Sequence, residues 1–225
     1  MKYHRPFDYE AILAWLGARA IPGLERVEHG AYVRGNVRVT HRDGAVHANR
    51  EAARVRRLFD LDFDPAPMHA LFSRDAMLAP LLARRPGVRV PGAWDSFELV
   101  IRAIVGQQVS VAAARTILGR IAADHGFRPD VLAEVTLAGM PQSRAATIQR
   151  AARATLAGEP LENVKGIGPW TLNYIAMRSG DRDAFPAGDL VLRRNAGNLT
   201  ERELLRRAEA WRPFRAYAAM LLWTA

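Results

Sequence analysis

Residues 161–178, LENVKGIGPWTLNYIAMR, set two glycines and a proline within four positions and constrain the local chain path more tightly than any other segment. Gly166 and Gly168 can take positive φ and leave no Cβ between the backbone and whatever approaches it. Pro169 fits the first position of a new helix, where its missing N–H removes nothing. The expected result is two short helices joined by a tight turn. Free backbone N–H groups and the positive end of a helix dipole then face outward beside the Lys165 ammonium, an arrangement suited to phosphate. Ile167, the only apolar residue between the glycines, is expected to tuck inward and pin the two helices together. Taken by themselves, residues 165–168 favour an ordinary helix-turn-helix corner of an all-α protein.

The rest of the chain bounds what such a turn can belong to. With 225 residues, 49% hydrophobic and 24% charged, the chain can bury one or two real cores and is globular. Lys+Arg 32 against Asp+Glu 23 gives +9, the profile of a protein that meets a polyanion. That excess alone does not separate DNA from RNA or an acidic membrane surface. No apolar run approaches the ~20 residues that span a bilayer, and the first residues lack the apolar stretch of a signal peptide, so a cytoplasmic location is expected. The absence of cysteine excludes disulfides, thiolate zinc sites and a cysteine-ligated iron–sulfur cluster. The six histidines show no metal-ligand spacing.

Periodicity predicts a short amphipathic helix over 11–20, a strand over 31–42 that turns at Asp43-Gly44 into 45–49, and a helix over 50–59. Prolines and glycines punctuate the passage to about residue 92. Beyond it the period is helical throughout, with helices expected at 96–105, 110–124, 141–157, 161–165, 169–179, 189–196, 200–210 and 213–224. No chemistry is visible in the N-terminal third, and support of the rest is its expected role.

Three features of the C-terminal part carry candidate chemistry. Asp189 follows Gly188 and precedes an apolar run, which by itself reads as a helix N-cap. A helix N-terminus also favours a negative charge and aims it at a fixed point, so the cap and a chemical role are compatible. Trp170, Tyr174 and Met177 share one stripe of the second hairpin helix and Leu172, Ile175 and Ala176 another; core packing is the default explanation for all six. Gln107 and Gln108, between Gly106 and Ser110, mark an exposed corner between helices.

The full string resembles the helix-hairpin-helix DNA glycosylase superfamily, in its DNA-3-methyladenine glycosylase II branch. The likeness runs through SFELVIRAIVGQQVS at 96–110, the hairpin at 161–178, FPAGDLVLRR at 185–194 and WRPFRAY at 211–217, and the N-terminal third resembles the branch's small extra domain. It implies a mainly α fold with a small α+β N-terminal domain over residues 1–85 and an all-α helix-hairpin-helix glycosylase domain over 86–225. It further implies a monomeric, cofactor-free enzyme of base excision repair. Its substrate would be double-stranded DNA with alkylated bases such as 3-methyladenine and 7-methylguanine, whose flipped nucleotide loses its base by hydrolysis.

The same resemblance implies roles for individual residues. Asp189 becomes the catalytic carboxylate beside the sugar. Trp170, Tyr174, Phe214 and Gln107 contact the substrate base, Phe214 standing where close relatives often present a stacking Trp. Lys165, Gly166, Ile167, Gly168 and Thr171 hold the strand. Gln108 enters the minor groove at the place of a Leu wedge in the best-known member; an amide there can hydrogen-bond the orphaned base but is a poorer apolar plug. Carbonyls of Glu162, Val164 and Ile167 would hold a structural monovalent cation. Strand-cutting members carry their catalytic lysine two residues after the second hairpin glycine, which here is Trp170, so a monofunctional enzyme is expected. Two other readings stay open: a non-catalytic helix-hairpin-helix module that binds damaged DNA, and a glycosylase tuned to another lesion such as hypoxanthine.

Overall fold

The computed structural model describes every residue, Met1–Ala225. α1 (Tyr9–Ala18) starts where Asp8 Oδ1 accepts the Ala11 amide at 2.9 Å, and it turns Ile12, Leu13 and Leu16 inward. An antiparallel meander follows, β1 (Glu25–Glu28), β2 (Ala31–Arg34), β3 (Val37–Arg42) and β4 (Ala45–Ala48), in sheet order β1-β2-β3-β4. Asp43 and Gly44 both have positive φ, as do His29 and Gly30, the pattern of tight hairpin turns whose twist matches the strands. The expected strand over 31–42 is two strands, because Gly35 at φ 53° turns the chain back between them. β1 has no apolar alternation to reveal it. It is held by its register with β2, from Glu25 opposite Arg34 to Glu28 opposite Ala31.

The helices are α2 (Ala52–Leu58), α3 (Ala66–Phe72), α4 (Leu78–Arg84), α5 (Ser96–Val105), α6 (Val111–Asp124), α7 (Pro129–Leu132), α8 (Gln142–Ala157), α9 (Pro169–Arg178), α10 (Leu190–Asn195), α11 (Glu201–Ala208) and α12 (Arg215–Trp223). Single 3-10 turns lie at Leu161–Asn163 and Glu209–Trp211. None of the helices is long and apolar enough to cross a membrane. The proline-punctuated passage is helical in two places that periodicity missed. Asp64 Oδ1 accepts the Ala66 amide, and Asp75 Oδ1 accepts those of Met77 and Leu78, so short acids start both α3 and α4.

Two hydrophobic cores divide the molecule, and they do not divide it at residue 85. The larger takes Tyr32, Phe59 and Phe63 from the first half together with Leu78, Val88 and Val90, and closes them against Trp211, Tyr217 and Leu221 of the last helices. The smaller is built from α5, α6, α7, α8 and the hairpin, with Ile21 buried in it and Leu24 packed against it from the N-terminal part. Asp75 explains part of the join: its Oδ2 accepts the Trp211 indole N–H at 2.8 Å and pairs with Arg207, tying the start of α4 to the far end of the chain.

A buried quartet of charges fastens the sheet to α5. Arg34 donates to Glu25 at 3.0 Å and to Glu98 at 2.5 Å, while Arg102 donates to Glu98 at 2.8 Å and to Glu25 at 2.5 Å. The Tyr32 hydroxyl adds a bond to Glu25. Burial alone would raise the Glu25 carboxyl pKa, but Arg102, Tyr32 and Arg34 together outweigh it and hold it below the usual range. Asp60 behaves oppositely. Its Oδ2 accepts the Tyr217 hydroxyl at 2.8 Å and the Val90 amide at 3.3 Å, yet burial dominates and pushes its pKa up to about 6.

Removing one carboxylate of the quartet leaves two guanidinium groups short of a counter-charge. Glu25→Ala is expected to cost about 3 kcal/mol of stability in urea denaturation; a loss under about 1 kcal/mol would contradict the fastening role. For Asp60 the folded-state pKa lies above the unfolded one, so the folded state holds an extra proton between about pH 4 and 6 and stability falls as pH rises through that window. Asp60→Asn keeps an acceptor for Tyr217 and suits the φ of 50° there. It is expected to be more stable than wild type at pH 7 by on the order of 2 kcal/mol, with the gap closing toward pH 4 when thermal melts are compared.

Candidate active site

The hairpin forms as its glycines require, each for a different reason. Gly166 has φ 100°, and a Cβ there would lie 2.2 Å from Thr147 Oγ1. Gly168 is extended at φ −100° and caps α9, with open space where a Cβ would project. Ile167 and Val164 are buried in the smaller core, so the apolar residue between the glycines does point inward. Arg150 clamps the turn from behind, donating to the Lys165 carbonyl through Nε at 3.1 Å and Nη2 at 2.9 Å. The Lys165 side chain is exposed, and the backbone amides of Gly168, Trp170 and Thr171 have no partner within the chain. The surface left open is a cluster of N–H donors at a helix N-terminus, which suits an anion.

The α5–α6 corner is bolted to this hairpin. Gln107 Nε2 donates to the Gly166 carbonyl at 3.0 Å and to Thr171 Oγ1 at 2.9 Å. This takes Gln107 away from its expected place against the base and leaves Thr171 only its backbone amide to offer a strand. Gln107 is committed to the hairpin and does not line the cleft described next, and the buried Thr171 hydroxyl is engaged inside the protein. Gln108 is exposed at the tip, with φ 53°.

A cleft of about 380 Å³ opens beside the corner, between the two cores. Asp189 lines it. Its Oδ1 caps α10 by accepting the Val191 and Leu192 amides at 2.9 and 3.0 Å, and its Oδ2 accepts the Trp170 indole N–H at 3.1 Å. No arginine or lysine pairs with it; every ion pair of the chain involves other carboxylates. Trp170 and Tyr174 stack at 5.5 Å with 10° between planes, and Trp223 meets Tyr174 edge-on at 6.2 Å. A carboxylate thus stands at the edge of an aromatic wall.

The opposite end of the cleft is cationic. Arg178 is buried and donates to the Tyr174 hydroxyl at 2.8 Å, to the Gly92 carbonyl at 2.6 Å and to that of Pro91. Arg178 and Arg19 lie over the Trp15 ring, at 4.2 and 4.1 Å from its centroid. Burial would raise the Tyr174 pKa, but the charges of Arg178 and Arg19 outweigh it and hold the phenol below its ordinary range. A second cavity of about 400 Å³ lies across the Gly92–Trp94 segment. It holds arginines and aspartates but neither Asp189 nor the aromatic pair.

Comparison with known proteins agrees with this geometry. The AlkA N-terminal domain family matches residues 1–54 and 48–95. DNA-3-methyladenine glycosylase 2 of Escherichia coli is 30% identical over 99% of this chain and 95% of its own length. The chain belongs to the DNA-3-methyladenine glycosylase 2 family. A Mycobacterium tuberculosis relative, named a probable bifunctional transcriptional activator/DNA repair enzyme AlkA, is 35% identical over 97% of this chain, which spans 55% of that protein's length. The 3-methyladenine DNA-glycosylase structure from Archaeoglobus fulgidus superposes with a TM-score of 0.83 at 18% identity, covering 99% of this chain and 96% of that one. It shares the fold.

Of the walls expected for a glycosylase of this family, Trp170 and Tyr174 line the cleft and Phe214 does not. Phe214 ends the loop before α12 and packs edge-on against Phe63 and Tyr217 in the larger core. Of the cleft's other aromatics, Trp15, Trp94 and Trp223, the last sits at the other end of α12 from Phe214, two and a half turns further along. A Trp ending an apolar run, with a polar N–H to place, was its only signal in the sequence. Trp15, Arg19 and Arg178 were missed because their meeting joins α1 to α9. Arg102 and Arg115 face inward, Arg102 into the charge quartet and Arg115 donating to the Ala20 carbonyl at 2.9 Å. Of the carbonyls suggested for a monovalent cation, that of Val164 already accepts the Ile167 amide, though its second lone pair and the neutral oxygens of Glu162 and Ile167 make a donor set such an ion accepts.

The two glycines separate by substitution. Gly166→Ala meets both the φ and the Thr147 contact and is expected to cost more than about 2 kcal/mol, whereas Gly168→Ala changes the melting free energy by under about 0.5 kcal/mol. Equal melts for the two variants would contradict this account of the turn.

Proposed function

We propose that this chain is a monofunctional DNA glycosylase that hydrolyses the N-glycosidic bond of alkylated purines, of the 3-methyladenine and 7-methylguanine type, after the damaged nucleotide swings out of the duplex into the cleft. The observation that carries the reading is Asp189: a carboxylate with no ion-pair partner, held by α10 and Trp170 at the aromatic cleft beside an anion-seeking hairpin.

The chemistry follows from where charge develops. Breaking the bond from sugar to base makes the deoxyribose cationic, and an anion fixed nearby stabilises that state more than the neutral sugar that precedes it. Two unit charges about 4 Å apart at an effective dielectric near 20 interact by on the order of 4 kcal/mol. That is roughly a thousandfold in rate. N-alkylated purines carry positive charge themselves, which draws them to the faces of Trp170 and Tyr174, and they leave readily, so modest assistance suffices.

Strand cutting needs an amine that can attack the sugar, and none borders the cleft. Lys165 belongs to the exposed hairpin, and position 170 holds an indole already bonded to Asp189. Water is then the acceptor and the product an abasic site. The names of the Escherichia coli and Archaeoglobus fulgidus relatives point to the same alkylated base. A protein that only bound damaged DNA could cap α10 with a neutral Ser or Asn and avoid an unpaired carboxylate near phosphates, where it repels.

Incubation with alkylated duplex DNA and mass spectrometry of the freed bases tests the reading. Asp189→Asn is expected to retain duplex affinity within about threefold while base release falls on the order of a thousandfold; release at the wild-type rate would remove the assignment. Gly168→Arg, whose side chain enters open space, is expected to fold normally and to weaken binding to damaged and undamaged duplexes alike.

A further inference from the structure

The second cavity, of about 400 Å³, shares Gly92, Ala93, Trp94 and Arg178 with the cleft as a common wall. No residue of the hairpin turn or of the α5–α6 corner lines it, so a strand held at those two places does not fill it. Its ionic groups are unevenly occupied. Asp60 accepts the Tyr217 hydroxyl and the Val90 amide, Asp62 pairs with Arg56, and Arg178 is spent on Tyr174, Pro91 and Gly92. Arg57, in the last turn of α2, and Arg182, just past α9, are exposed and make neither an ion pair nor a side-chain hydrogen bond. Asp95 and Asp181 each use only one oxygen. Oδ1 of Asp95 accepts the Glu98 amide at 2.9 Å, and Oδ1 of Asp181 accepts those of Asp183 and Ala184 at 2.8 and 3.2 Å. The cavity therefore offers two guanidinium groups and two carboxylate oxygens that the protein itself does not use.

We propose that this cavity binds a free nucleoside monophosphate whose base carries an amino group, with the phosphate on Arg57 and Arg182 and the amino group on Asp95 or Asp181. A guanidinium fork meets phosphate oxygens with two parallel N–H bonds, and such charge-assisted bonds are about twice as strong as neutral ones. A bare inorganic anion would use the guanidinium groups but face the two carboxylate oxygens, which repel it. A ligand with N–H donors at its other end turns that repulsion into hydrogen bonds. The size is suitable, since pockets for small molecules run from about 300 to 1,000 Å³. Arg54 lies over the Trp94 ring, 5.7 Å from its centroid, and both line the cavity. A guanidinium plane or an indole face is a surface on which a base stacks.

The test is isothermal titration calorimetry of the full chain, at constant ionic strength, with deoxyadenosine monophosphate, inorganic phosphate and deoxyadenosine. The monophosphate is expected to bind at one site and at least about tenfold more tightly than either fragment. Arg57→Gln and Arg182→Gln change exposed, unpaired side chains, so both variants are expected to fold and to hold duplex DNA as the wild type does. Each is expected to weaken the monophosphate at least about tenfold, the loss of a charged hydrogen-bonding partner. Arg182→Lys, which keeps the charge without the fork, is expected to fall between. In a second titration the chain is first saturated with an undamaged duplex, and the same dissociation constant is expected. Displacement of the monophosphate by the duplex would show that it occupied a DNA site and overturns the proposal. It is equally overturned by the absence of saturable binding, by binding that neither glutamine variant weakens, or by inorganic phosphate binding as tightly as the monophosphate.

Discussion

The position of two carboxylate oxygens governs what the cleft can do. One is spent on the N-terminus of α10 and the other on the Trp170 indole, so the side chain has no rotamer freedom left and a third element sets its direction. That element is α9, which begins at the hairpin. Its placement depends in turn on Gly166 passing Thr147 without a Cβ, on Arg150 gripping the Lys165 carbonyl, and on Gln107 bridging to the corner. The anion-seeking turn and the carboxylate are thus one construction. In the proposed reaction a strand anchored at the turn would meet the carboxylate at a fixed offset, because only Pro169 and the first turn of one helix separate them.

This chain of dependence explains what could be read from residues alone. The turn was legible because glycine and proline act on their own backbone, and Asp189 was legible as a cap because capping involves amides two and three residues on. The stripe of Trp170 and Tyr174 follows from helical spacing. Trp223 was not legible: its one local signal, an N–H to place, does not say where it points, and the choice between it and Phe214 is made by which end of α12 reaches the cleft. β1 was hidden for a similar reason, since its four residues owe their strand to pairing with β2 and to the charge quartet rather than to any apolar alternation. The division of the cores was hidden most deeply, because it depends on Trp211 and Tyr217 returning to Asp75 and Asp60 across more than 130 residues.

The N-terminal third does more than prop up the rest. Trp15, Leu16 and Arg19 of the first helical segment and Glu25 of the sheet are cleft residues. The quartet that locks Glu25 and Arg34 to Glu98 and Arg102 therefore belongs to the cleft wall as well as to the join, since Glu25, Glu98 and Arg102 all line the cleft. Burying four charges is weakly favourable at best. Their value here is that a paired, fully bonded lattice has one geometry, whereas an apolar interface of the same size could slide.

The cleft is also polarised along its length, and α9 is the ruler. Trp170, Tyr174 and Arg178 follow one another at four-residue intervals on the same face, so the Asp189 end and the Arg178 end lie about 12 Å apart. Arg19 reinforces the cationic end and pairs with no carboxylate. An alkylated purine carries its positive charge on the base before the bond breaks and leaves it on the sugar afterwards. Within the proposed reaction the base lies toward the arginines and the sugar toward Asp189, so the same field opposes the charge where it starts and favours it where it goes. Aromatic faces then offset the first effect enough for the base to enter. Catalysis by so sparse a set of groups becomes reasonable on these terms: the proposed reaction needs no strong acid and no nucleophile from the chain, only two fixed charges of opposite sign, one on either side of the bond that breaks.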